Sequence, residues 1–169
     1  MNGVGGLTKR DLKFIAAVLL GIYFAILCWV LFVNVGSTDR EAYFTERRAH
    51  LVPFKNTGRT LSIILTNNFG AESKKGFTYL AVRNIMGNLI LFAPFGLLAP
   101  LAFRKIRHTW QILLLTFCLS LGAEMVQYAF KLGVFDIDDI ILNSLGAAGG
   151  FMLFKMALRS WKGLRMQPG

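Results

Sequence analysis

Carboxylates are scarce in this chain. Nine Asp and Glu stand against 19 Lys and Arg in 169 residues, a net charge of +10, and charged side chains of all kinds amount to only 17%. So small a charged fraction beside 54% hydrophobic residues excludes a soluble globular domain. The two cysteines, Cys28 and Cys118, lie in apolar stretches with no His or second Cys at ligand spacing, which excludes a disulfide framework or a zinc site. They read as buried, inert thiols. The two histidines lie outside the apolar runs, and no serine there has an adjacent base, so a membrane-embedded nucleophile and base find no support. No basic soluble domain is present either, which argues against a nucleic-acid partner.

What the chain does have is length without charge. Four windows, about residues 13–33, 85–103, 109–130 and 137–158, can cross about 30 Å of hydrocarbon at ~1.5 Å per residue. The fold expected is an all-α membrane protein of about four transmembrane helices, with an amphipathic interfacial segment between the first two. Residues 1–12 are expected to be a flexible cytoplasmic N-terminus, residues 13–158 a single membrane domain, and residues 159–169 a basic cytoplasmic tail. The first window follows Lys9, Arg10 and Lys13 as a signal peptide would, but its apolar run is too long and no A-x-A site follows, so an uncleaved span is favoured. The second starts at polar residues and holds Pro94 and Pro100, which predicts a kinked or slanted helix, with a re-entrant segment as the alternative.

Orientation follows from Lys and Arg beside the spans. Lys9, Arg10 and Lys13 precede the first, Arg104, Lys105 and Arg107 separate the second from the third, and Lys155, Arg159, Lys162 and Arg165 close the chain. Both termini are expected in the cytoplasm. The long connection, residues 34–80, then lies outside despite seven basic residues (Arg40, Arg47, Arg48, Lys55, Arg59, Lys74, Lys75) against four acids. Arg47, Arg48, Lys55 and Arg59 read either as a solvated charge run or as a place for an anionic lipid head group or pyrophosphate. The short apolar pieces at residues 51–54 and 61–65 suit a cap lying on the bilayer, with Tyr43, Phe44, Phe54, Phe69, Phe77 and Tyr79 as an interfacial belt.

Polar residues inside spans demand partners, because lipid offers none. Asn84 and Asn88 share one face of the second window, beside Arg83; Glu124 and Gln127 share a face of the third. On the fourth, Asp136, Asp139, Asn143, Gly146 and Gly150 follow steps of three and four, grading from acid to amide to small. Because consecutive spans alternate in direction, Asn88, Glu124 and Asn143 fall at a common depth, roughly 6 to 10 Å below the same surface. The other half of the bundle has almost nothing polar. A plain packing account makes the amides interhelical glue and Gly146 and Gly150 a GxxxG contact; it accounts less well for Glu124, three Asp and an Arg in one layer.

The order RNIMGNLILFAPFG at residues 83–96, EMVQ at 124–127 and FDIDDIILNSLG at 135–146, with LVPF at 51–54 after Arg47 and Arg48, resembles the VanZ-like family of small bacterial membrane proteins. The resemblance covers about residues 49–154, with a longer insertion between Phe54 and Arg83, and its polar positions match at Asn84, Asn88, Glu124, Gln127, Asp136, Asp139 and Asn143. It implies a bacterial cytoplasmic membrane location and an association with low-level resistance to the glycopeptide teicoplanin. It names no reaction.

Three functions of different class stand open. As a binding module, Arg83, Asn84, Asn88, Glu124, Gln127, Asp136, Asp139 and Asn143 engage a lipid-linked envelope precursor, a lipid head group or a lipoglycopeptide. As an enzyme, Glu124, Asp136 and Asp139 gather a hard divalent cation while arginines steady a phosphate, although the D-x-D-D lacks the Gly and Glu of a calcium loop. As a structural network, Arg83 pairs with a carboxylate, Asp138 stays solvated and the amides cross-link helices.

Overall fold

The computed structural model describes residues 8–33, 49–66 and 74–165. Tyr43, Phe44, Arg47, Arg48, Phe69 and the glycine-rich N-terminus lie outside them, as do the side chains of Arg59, Phe77, Tyr79 and Arg83.

Helix α1 (Lys9–Cys28) starts at a reciprocal cap: Asp11 N donates to the Thr8 hydroxyl at 3.2 Å while Thr8 N donates to the Asp11 carboxylate at 2.8 Å. It ends in a wider π turn at Trp29–Val33. A two-residue strand β1 (Ala49–His50) leads to the short helix α2 (Lys55–Thr66), then α3 (Lys74–Ala102), α4 (Thr109–Ala129), β2 (Phe135–Asp136) and α5 (Ile137–Arg165). Four stretches, Arg10–Phe32, Asn84–Ala102, Thr109–Ala129 and Ile137–Ser160, are long and apolar enough to cross a membrane. The protein is therefore a multi-pass, all-α membrane protein. Its second spanning helix is continuous through Pro94 and Pro100. The Tyr23 hydroxyl donates to Leu91 O at 3.0 Å, beside the Ile90 carbonyl that Pro94, lacking an N–H, leaves without its helical donor.

Helix α4 stops at a Schellman turn. Leu132 N donates to Gln127 O at 2.8 Å and Lys131 N to Tyr128 O at 3.3 Å, with Lys131 at φ 56°. A side chain there is strained, so Lys131→Gly is expected to raise stability by up to about 1 kcal/mol, read as a higher unfolding temperature in detergent. No gain would show that the lysine makes a compensating contact.

Helices α3 and α5 form the centre, with α1 against α3 and α4 against α5. Small residues set the α3–α5 distance. A Cβ on Gly146 would lie 2.1 Å from Leu89 O, one on Gly150 1.9 Å from Ala93 O, and one on Gly96 1.9 Å from Ala147 O. The two backbones touch, as the GxxxG spacing on α5 predicts, and Gly96 answers from α3. Around this contact Phe92, Phe95, Ala99, Ile112 and Phe151 are buried, with Leu20 and Leu27 from α1 closing one side. The expectation for the thiols is corrected: Cys28 and Cys118 are both exposed on the bundle surface, where lipid rather than protein surrounds them.

Candidate functional site

One end of the bundle collects the polar side chains. Asn88 comes from the start of the second span, Glu124 from the end of the third, and Asp136, Asp138 and Asp139 from the strand and first turn of α5. Asn88 Nδ2 donates to Asp139 Oδ1 at 2.5 Å, and Asn84 lies one helical turn before Asn88 on the same face of α3. Glu124 is buried and accepts Asp136 N at 3.0 Å. Asp136 in turn accepts Asp138 N at 2.9 Å and faces His50 Nδ1 at 3.2 Å. Glu124, Asp136 and Asp139 lie close enough to repel one another. An acceptor-rich site of this kind favours positive charge or hydrogen-bond donors.

A second set of contacts straps the segment after β1 over these groups. Strand β1 pairs in parallel with β2, Ala49 beside Phe135 and His50 beside Asp136. Asp138 is only 3% exposed, and its two oxygens accept Phe54 N at 2.5 Å and Thr57 N at 3.0 Å. Those N–H groups open α2, so the carboxylate of one helix caps another. Its burial corrects the structural reading in which Asp138 stays solvated. Phe54, at φ 61°, turns the chain into α2.

The remaining sequence candidates divide. Gln127 bonds α1 and not the acids: its Nε2 donates to Leu31 O at 2.9 Å, in the π turn whose shifted hydrogen bonding frees carbonyls. Gln127→Leu is expected to cost about 1–2 kcal/mol by leaving that carbonyl bare, and to loosen α1 without touching the acids. Unchanged thermal stability in detergent would contradict this. Asn143, 4% exposed, donates from Nδ2 to Ser120 Oγ at 2.8 Å. Among the described residues, no three His, Cys, Asp or Glu side chains gather as a metal-ligand set.

Three participants were not singled out from the sequence. His50 gave no local signal, since its partner lies 86 residues away. Ser120 and Thr116 had one: they precede Glu124 by four and eight residues, and Ile112, Thr116, Ser120 and Glu124 form one buried stripe on α4.

A family model described as VanZ/LLP1 matches residues 20–159, which takes in the second half of the first span, the second and third spans, nearly all of the fourth and every one of these polar groups. This chain belongs to the VanZ-like family. Protein VanZ of Enterococcus faecium is 27% identical to it over 146 residues, 86% of this chain and 76% of that protein. No solved structure matches. In this VanZ-like chain the matched region begins within α1 and ends in the last turns of α5, so the polar end and the close α3–α5 contact both fall inside it.

Proposed function

We propose that this VanZ-like protein sits in the bacterial cytoplasmic membrane with both termini inside, and that its polar end faces outward as a binding site for an envelope molecule. The basic residues at the opposite end of the spans support that orientation: Arg10 and Lys13, the loop with Arg104, Lys105 and Arg107, and Arg159. The observation that carries the binding role is the acceptor-rich layer of Glu124, Asp136 and Asp139 at one level, with exposed Asn84 and half-exposed His50 at its rim. Such a layer suits the ammonium and hydroxyl groups of a lipid-linked precursor or a lipoglycopeptide. The role is protective rather than catalytic, and reduced susceptibility to teicoplanin is its expected phenotype. A structural role is favoured by one observation of its own, that the bonds of Asn88, Glu124, Gln127 and Asn143 run between elements of the protein itself.

A survival titration separates the two. A susceptible host is exposed to teicoplanin and vancomycin while expressing wild type, Glu124→Gln, Asp139→Asn or Asp139→Ala, with membrane abundance measured in parallel. The binding reading expects wild type to raise the teicoplanin threshold and all three variants to lose that protection at normal abundance. Asp139→Asn should be nearly as harmful as Asp139→Ala, because the amide restores an acceptor but not the charge. Protection that falls only as abundance falls would support the structural role instead.

A further inference from the structure

The stripe on α4 continues the polar layer well below the acids. Thr116 lies 13 residues before Ala129, roughly 20 Å along the helix at ~1.5 Å per residue, past the middle of the bundle. It is fully buried, and Ser120 above it is 1% exposed. Two atoms in this seam have no hydrogen-bond partner among the described residues, Thr116 Oγ1 and Asn143 Oδ1. Asn143 is held in the α4–α5 seam by its own Nδ2, which donates to Ser120 Oγ, and Ser120 is one helical turn from Thr116. Thr116 thus lies one turn along the buried α4 stripe from the serine that holds Asn143. A turn rises ~5.4 Å, close to two hydrogen bonds of ~2.8 Å laid end to end through one oxygen.

We propose that the α4–α5 seam is a water-binding site, in which one resident water donates to Asn143 Oδ1 and bonds the Thr116 hydroxyl. Asn143 Oδ1 is an acceptor only, so its guest must carry a donor or a positive charge. A buried water typically needs two to four polar partners, and the Ser120 hydroxyl stands beside the two that are unpaired. Ala147, one turn below Asn143 on the same helix face, carries only a methyl group there. The site stops at Ile112, which is fully buried one turn beyond Thr116 and seals the seam toward the opposite end. Water thus reaches past mid-depth without crossing. The proposal does not rest on the envelope-binding reading and is tested apart from it.

The test is water-edited NMR on the isotope-labelled full chain in lipid nanodiscs. Magnetisation from water is expected to reach the Thr116 methyl and the Asn143 side-chain amide as readily as it reaches exposed Asn84. It should arrive several-fold more slowly at Leu113 and Phe117, which face outward from the bundle. Thr116→Val combined with Asn143→Leu should remove the transfer to Ser120. A dry Thr116 and Asn143 in the wild type, beside a hydrated Asn84, overturns the proposal whether or not the double variant folds. So does a shift of the Thr116 and Asn143 resonances that depends on sodium and disappears in choline, which would make the guest a cation.

Discussion

Gly150→Leu is expected to leave almost no folded protein in the membrane. Even a lone Cβ at this position would stand 1.9 Å from Ala93 O and 2.8 Å from Ala93 C, and both are backbone atoms that cannot rotate aside. Relief requires the two central helices to separate by more than an ångström over the whole contact. That movement would also loosen Gly146 from Leu89 and Gly96 from Ala147, which close the same seam. The loss should exceed the ~1–3 kcal/mol of ordinary overpacking and consume most of the marginal stability of a chain this size. Gly149, one residue away, meets nothing within 4 Å and supplies the control. Gly149→Leu should accumulate at wild-type levels. Equal abundance of the two variants, by immunoblot of washed membranes, would refute the packing account.

Asp138→Ala should release the strap formed by β1 and α2. The substitution removes both acceptors from Phe54 N and Thr57 N at a helix start, where a cap is worth about 0.5–2 kcal/mol and a hydrogen bond to a charge about 1.5–3. Asp138→Asn should be intermediate, since the amide keeps one acceptor and loses the charge that complements the α2 N-terminus. Limited trypsin digestion of the folded protein reads this directly, because Lys55 is exposed at that start. Cleavage after Lys55 is expected to quicken roughly tenfold or more in Asp138→Ala, tenfold being the kinetic equivalent of ~1.4 kcal/mol of local opening. His50→Ala should quicken it less, because His50 meets Asp136 from a 41% exposed position where water screens the pair. Identical digestion of all variants would mean that the strap is held by something other than these carboxylates.

These two positions show how differently the sequence speaks about its own residues. Gly150 was legible as a packing glycine, because its spacing from Gly146 is a property of one helix. Gly96 was not, because nothing within α3 marks it as the residue that meets Ala147. Asn88 and Asp139 each advertised a need for a partner, being polar inside apolar runs, and they meet across 51 residues of chain. Gln127 advertised the same need, yet it serves Leu31, 96 residues away, through a π turn that no periodicity announces. Asp138 sits between two acids of identical type, and only the position of α2 above it distinguishes a buried cap from a solvated lip. Cys28 and Cys118 lie in equally apolar surroundings whether they face protein or lipid, so composition could not say which.

By itself the sequence determined that this chain crosses a membrane in four helices and carries its acids and amides near one end. Both facts follow from local quantities: apolar length against bilayer thickness, and the helical repeat along each span. Tertiary structure alone decided which acid caps a neighbour, which stay gathered as a layer, and how deep polarity runs along the α4–α5 seam. The reason is that in lipid a polar group must find its partner within the protein, and partners on different helices are chosen by interhelical distance and rotation, which three glycines and a borrowed carboxylate set here.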